Sequence, residues 1–187
     1  MMETDLAIAS SDKVMQTSDK VRKKMVQAIA QYSMLSEGDR LMVCVSGGKD
    51  SSVMLVQLQE IQKRAPYKFE LEAVMLDQKQ PGFDASKFSK WVESVGVKLT
   101  VLQQDTYSIV KEKITTGTFC SLCSRLRRGI LYNHAFERGF TKIALGHHRG
   151  DLNETLFLNL LYSGKISSMP PKLKSDDGRN ILIDNKL

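Results

Sequence analysis

The chain has 187 residues, 42% of them hydrophobic, with a formal charge of +6 and a pI near 9.2. That is enough apolar material to bury one core without a second domain, and a charge balance that favours a polyanionic partner such as RNA. No apolar run approaches bilayer length and the acidic, mixed start Met1-Met2-Glu3-Thr4-Asp5 has no signal-peptide pattern, so a cytoplasmic protein without membrane contact is expected.

Residues 1–17 are polar and aperiodic and read as a flexible N-terminal arm, leaving one domain over 18–187. From Ser18, Val21, Met25, Ile29 and Tyr32 recur at helical spacing, with Ser18 or Asp19 as the cap; Glu37-Gly38-Asp39 then turns the chain into a strand at Leu41 to Val45. A helix is expected from about Asp50 to Arg64, ended by Pro66, then a strand from Phe69 to Leu76. A Pro81-Gly82 turn leads to a helix from Phe83 to Val95, followed by a strand from Lys98 to Leu102. A helix over Cys120 to Arg138, a strand at Thr141 to Leu145 and a helix from Asp151 to Tyr162 complete the pattern. Strands alternating with helices predict an α/β fold, a Rossmann-like, mainly parallel sheet with helices on both faces and ligands at the carboxyl ends of the strands. Ser46-Gly47-Gly48-Lys49-Asp50-Ser51, Asp77 and His147 all fall at such ends.

The hexapeptide Ser46 to Ser51 sits between a strand and a helix, where two glycines let the backbone approach an oxyanion and the helix directs free N–H groups at it. Lys49 adds a point charge and Ser46 and Ser51 add hydroxyls. The alternative is a tight turn with Asp50 or Ser51 capping the helix. An acidic side chain beside phosphate is repulsive unless a cation intervenes, which makes Asp50 a candidate Mg²⁺ ligand or a residue that holds the metal from behind. The loop is too short for the GxxxxGK[ST] pattern of ordinary P-loop kinases and GTPases.

In Gly146-His147-His148-Arg149-Gly150-Asp151, Asp151 shares a helical face with Glu154 and Thr155. It can serve an ATP site or simply cap its helix. Adjacent histidines on an extended segment point to opposite sides, so at most one faces a common site. Cys120 and Cys123 form a CxxC at a helix start, with Arg127 on the same face, an arrangement suited to soft metals or sulfur exchange. There is no second CxxC and no zinc-finger histidine spacing, so a closed structural zinc site lacks ligands. An incidental pair of core cysteines is the plainer alternative, and Cys44 reads as an inert core thiol. Lys111, Lys113, Arg125, Arg127, Arg128, Lys165, Lys172, Lys174 and Arg179 can track an RNA backbone or form a solvated face.

SGGKDSS, the run Met75-Leu76-Asp77-Gln78-Lys79-Gln80-Pro81-Gly82-Phe83, CSLCSRLRRGILY, and ALGHHRGD with Glu154-Thr155 together resemble the tRNA 2-thiocytidine synthetases (TtcA type) of the PP-loop ATP pyrophosphatases. The similarity runs from about Ser18 to Ile183. The resemblance implies a PP-loop ATPase fold of the adenine nucleotide alpha hydrolase-like kind. It implies adenylation of the C2 oxygen of an anticodon-loop cytidine with release of pyrophosphate, then replacement of AMP by sulfur. An oxygen-sensitive [4Fe-4S] cluster held by three cysteines comes with it. By position, Ser46, Gly47, Gly48, Lys49, Asp50 and Ser51 would hold the ATP phosphates with Mg²⁺, and Leu76 and Asp77 would lie near the nucleoside. Gly146 and His147 would complete the ATP site, Asp50, Asp151 and Arg127 would serve catalysis, and Cys120 and Cys123 would ligate the cluster. The partners implied are tRNA and a sulfur donor such as a cysteine desulfurase; a homodimer is also expected. Two departures accompany the match: the family has an acidic pair where this chain reads Gly150-Asp151, and the sequence ends at Asp184-Asn185-Lys186-Leu187, ahead of the segment in which the family places its third cluster cysteine. A domain shortened at its C-terminal end, with a weakly held cluster lost in air, is therefore expected. The competing expectations are another PP-loop tRNA ligase, such as a lysidine synthetase, and an inactive nucleotide- or RNA-binding fragment.

Overall fold

The computed structural model describes residues 18–113, 119–175 and 177–184, with the side chains of 113–121 outside the description. The expected arm, residues 1–17, therefore lies outside the described residues, as does the side chain of Cys120. Helix α1 covers residues 18–31. After it come β1 (Arg40–Val45), α2 (Lys49–Arg64), β2 (Glu70–Asp77), α3 (Ser86–Val95), β3 (Leu99–Gln103), α4 (Thr106–Lys113) and α5 (Phe119–Glu137). The chain continues through β4 (Lys142–Leu145), α6 (Arg149–Ser163), β5 (Lys172–Lys174) and β6 (Ile181–Asp184).

The strands form one sheet in the order β3-β2-β1-β4-β6-β5. All neighbouring pairs are parallel except β5 with β6. Strand β1 is central: Val43 lies opposite Ala73 of β2 on one side and Ala144 of β4 on the other. Its Leu41, Val43 and Val45 enter a core with Met25 and Ile29 of α1, Leu55 and Leu58 of α2 and Val92 of α3. Met42 and Cys44 point the other way, against Val74, Ile143 and Leu131 and Ala135 of α5. A strand buried on both faces needs apolar side chains in succession, which is why Leu41 to Val45 shows no alternation. Helices thus cover both faces of a mainly parallel sheet, as expected.

Some boundaries differ from the expectation. Helix α3 begins at Ser86 rather than Phe83 because the Asp84 carboxylate accepts from the Ser86 N–H (2.8 Å) and hydroxyl (2.9 Å), turning the chain first. Helix α6 begins at Arg149 because His148, not Asp151, is its N-cap. Helix α4 and the β5–β6 pair were not expected: β5 is three exposed residues, Lys172-Leu173-Lys174, too short and polar to give a period. No helix among the described residues is long and apolar enough to cross a membrane.

From β1 the sheet grows through β2 to β3 on one side, while β4 lies on the other, so strand order reverses between β1 and β4. In open α/β sheets the crevice outside the carboxyl ends at that reversal is where ligands bind. At the opposite ends of the same strands, Lys142 Nζ lies 2.9 Å from Asp39 Oδ2 with both side chains buried, and the Thr141 hydroxyl donates to Asp39 Oδ1 at 2.7 Å. Burial raises the Asp39 pKa, but the bonds from Lys142, Thr141 and the Ser36 N–H outweigh it and hold the carboxyl below its usual 3.8. The group is thus more acidic folded than unfolded, so its contribution to stability is present above about pH 4 and is lost as pH falls through the lowered value. Lys142→Met should cost about 3 kcal/mol in urea denaturation by leaving the carboxylate buried without its cation, and should weaken the acid dependence of stability.

Candidate active site at the switch point

The loop after β1 is built around one backbone constraint and one hydroxyl. Gly47 has φ +79°, a left-handed conformation that L side chains rarely adopt, whereas Gly48 at φ −82° and ψ 163° is ordinary extended backbone. Gly48 is the N-cap of α2 and offers no side chain to accept from the first turn. The leading N–H groups of a helix have no partner within it, so here they stay available to an anion. Ser51 holds the loop: its Oγ accepts from the Ser46 N–H at 3.2 Å and donates to the Gly48 carbonyl at 3.0 Å. Lys49 and Asp50 stand exposed at the mouth.

The carboxyl end of β4 abuts this loop. A Cβ built on Gly146 would lie 3.4 Å from the Ser51 Cα and N, so the chain leaving β4 meets the first turn of α2. The histidines that follow divide their work. His147 Nδ1 lies 2.8 Å from Asp184 Oδ1 at the end of β6, and that bond raises the imidazole pKa above 6.5 against the opposing effect of burial. His148 caps α6, its Nδ1 accepting from the Gly150 N–H at 3.1 Å, while the Asp151 carboxylate accepts from the His148 N–H at 2.6 Å. Asp151 therefore completes a capping box, and Thr155 turns its hydroxyl back to the Asp151 carbonyl at 2.7 Å. Glu154 is exposed. A Cβ at position 150 would lie 2.7 Å from His148 Cε1. The absence of a side chain at Gly150 is thus what lets the imidazole fold over the helix end.

Between β1, β2 and α5 lies a cavity of about 450 Å³ whose lining includes Ser46, Gln78, Cys123, Ser124 and Arg127, with Cys44 and Leu131 deeper. It joins the phosphate loop to the CxxC helix. Arg127 follows Cys123 by one helical turn and lines the same wall, as the spacing implies. Cys44 is buried as expected, and burial pushes its thiol up to about 12 although the Arg127 charge opposes this. Leu76 lines the cavity; Asp77 does not. Its carboxylate accepts from the Lys79 N–H at 2.8 Å and pairs with Lys79 Nζ at 2.9 Å, which lowers its pKa. Of the basic residues, Arg125 and Arg128 are exposed on α5. Lys172 donates to the Ser33 carbonyl, and Arg179 is held by Asp177 and stacks on Phe136. Asp184 and Gln78 were absent from the candidate residues. Asp184 ends a four-residue strand with no preceding helical pattern, and Gln78 carries no charge that would single it out.

Gly47→Ala should cost about 1 kcal/mol of stability by forcing a Cβ into the left-handed region. Gly48→Ala meets only Ser46 Oγ at 3.4 Å and should leave the melting temperature unchanged, while its Cβ, placed among the free N–H groups, weakens ATP binding about tenfold in calorimetry. Because the His147 pKa is raised, its positive charge persists above pH 6.5 and disappears as pH rises through the raised value. Asp184→Asn should therefore lower the pH at which the His147 imidazolium is lost, read by NMR titration of the ring protons.

A family model described as a PP-loop domain matches residues 17–180. The tRNA-cytidine(32) 2-sulfurtransferase of Bdellovibrio bacteriovorus is 63% identical over 164 residues, covering 88% of this chain and 63% of that protein. The enzyme of the same name from Marinobacter nauticus is 60% identical over 165 residues, covering 88% of this chain and 55% of its own length. The chain thus spans little more than half the length of these curated relatives. Among solved structures, the U34-tRNA thiolase NcsA from Methanococcus maripaludis with its [4Fe-4S] cluster is similar at a TM-score of 0.68 and 25% identity, over 92% of this chain and 58% of that one. An NH3-dependent NAD synthetase from Campylobacter jejuni, with a TM-score of 0.51 and 19% identity over 75% of this chain and 60% of its own, shares the fold alone. A strand order that reverses beside an uncapped glycine loop, matched over nearly the whole described chain, leads to one assignment: the chain belongs to the PP-loop family, among relatives that are tRNA-cytidine 2-sulfurtransferases.

Proposed function

We propose that this chain carries the catalytic half-sites of an ATP-dependent tRNA thiolation, in which the C2 oxygen of an anticodon-loop cytidine is adenylated and then replaced by sulfur. The observation that carries the reading is the cavity that opens on both Ser46 of the phosphate loop and Cys123 and Arg127 of α5. A PP-loop ligase would have no use for a thiol in that wall.

The oxygen at C2 is a poor leaving group. Its lone pair attacks the α-phosphorus of ATP, the α–β bridging P–O bond breaks and pyrophosphate departs. The free N–H groups of α2 and the Lys49 ammonium hold the departing charge. Among the described residues no hydrogen bond occupies the Asp50 carboxylate, which leaves it open to hold Mg²⁺ beside the phosphates. His147 follows β4 at the same end of the sheet, and its bond to Asp184 favours the imidazolium. In the second step a sulfur nucleophile forms a bond to C2, the C2–O bond breaks and AMP leaves, with Arg127 placed to stabilise anionic sulfur or phosphate. Cys123 opens on the cavity and Cys120 precedes it by one turn; this pair suits two thiolate ligands of a [4Fe-4S] cluster, whereas the buried Cys44 remains a thiol. When bound, the cluster would supply an iron site able to carry the sulfur.

The same reading takes residues 18–187 as part of the PP-loop domain of a cytoplasmic protein. The exposed Arg125 and Arg128 contact tRNA, a cysteine desulfurase supplies sulfur, and two copies pair. The test is tRNA-dependent pyrophosphate release from ATP, alongside thiolation of unmodified tRNA by the anaerobically reconstituted chain. Asp50→Ala should abolish both, while Cys123→Ser should retain pyrophosphate release and lose thiolation. Equal loss of pyrophosphate release in the two variants would refute the division into half-sites.

A further inference from the structure

A second cavity, of about 510 Å³, opens beside the phosphate loop on the α3 side of the sheet, where Ser46, Gly47, Lys87, Phe88 and Trp91 line it. The first cavity lies on the α5 side, and Ser46 and Phe83 border both. Phe83 closes a turn: its N–H donates to the Gln80 carbonyl at 3.1 Å, Pro81 fixes one central φ, and Gly82 supplies the other at +79°. Its ring is 39% exposed and packs into neither hydrophobic core, whereas Phe88 and Trp91, with ring centroids 5.2 Å apart, rest against the core behind the cavity. The turn thus holds out a large aromatic ring that the interior does not use. Asp84 also lines the cavity, but its carboxylate is committed to the Ser86 N–H and hydroxyl. The exposed Lys87 and Lys90 act on that carboxylate in turn, so the rim is cationic on balance.

We propose that this cavity seats an RNA nucleobase flanking the cytidine that reacts, with the base stacked on Phe83 and its phosphate at Lys87. This rests on the tRNA reading above. Proteins that read single-stranded RNA loops splay the bases apart and stack them on aromatic rings, because every base has a π-face. A ring that borders two cavities can keep one base apart from the next, which frees the edge of the reacting base to meet the phosphate loop at Ser46. Leu76, expected beside the nucleoside of ATP, lines the first cavity and not the second, which leaves the second to another base. Lys87 supplies the cation that a sugar-phosphate backbone entering there requires.

Trp91 is the one tryptophan of the chain, so intrinsic emission reads this cavity directly. The full chain, saturated with a nonhydrolysable α,β-methylene analogue of ATP, is titrated with an unmodified anticodon stem-loop RNA. Trp91 emission and the anisotropy of a label on the RNA are followed together. The RNA should quench Trp91 in step with its binding. Phe83→Ala should weaken that binding about tenfold and Phe83→Tyr should restore it. Both should melt with the parent, because the ring lies outside the cores. Lys87→Gln should make the slope of log affinity against log salt shallower by about 0.7. Bound RNA that leaves Trp91 emission unmoved would overturn the proposal, as would parental affinity in Phe83→Ala. Quenching completed by the ATP analogue alone would give the cavity to adenine and overturn it as well. A parent that binds no RNA overturns the tRNA reading itself, an outcome distinct from bound RNA with Trp91 silent.

Discussion

Strand β1 is the constraint on which the rest of the molecule hangs. It is paired along both edges and covered on both faces, so each residue from Leu41 to Val45 is committed to a neighbour. A strand so enclosed cannot slip by one residue without exchanging its two sets of side chains between cores of different shape. Its end is therefore fixed, and with it the place where Gly47 turns and α2 begins. The buried Asp39–Lys142 pair makes the same alignment at the other end, locking β4 to β1. The crevice at the strand reversal is thus a consequence of packing well below it.

The site draws its anion affinity from groups denied their usual internal partners. Helix α6 shows the ordinary solution, a reciprocal capping box between His148 and Asp151. Helix α2, longer by one residue, begins at a glycine with no cap at all. The contrast lies within a single sheet and at adjacent strand ends, so a general absence of capping residues does not account for it. One helix is closed for stability, while the other is left open towards the crevice. Gly150 belongs to the first arrangement: its missing Cβ is the space into which the His148 ring folds.

Much of this was legible in the chain itself, because the informative signals are local. Gly47-Gly48 after an apolar run, Cys123 and Arg127 one turn apart, and two histidines forced to opposite sides of an extended segment all follow from backbone periodicity. What stayed hidden depends on contacts distant in sequence. Asp184 lies 37 residues from His147 and Gln78 lies 45 from Cys123, and neither partner has a pattern that announces the other. Asp77 shows the opposite relation. Its charge and position drew attention, but a local turn to Lys79 occupies the carboxylate, while its uncharged neighbours Leu76 and Gln78 line the cavity.

Arg127 links the two halves of the site. Its charge reaches Cys44 on β1 and His147 after β4, while its own helix carries Cys123. On the proposed reading, a guanidinium in that position meets negative charge on phosphate in the first step and on sulfur or departing AMP in the second. It also opposes the protonation of His147, so the imidazolium depends on Asp184 to outweigh it. His147 can hold its proton within reach of the Arg127 charge because a carboxylate stands behind it. Removing that carboxylate would leave like charges facing each other without compensation, and the imidazole, the only one of the two able to shed its proton near neutrality, would be the group to yield.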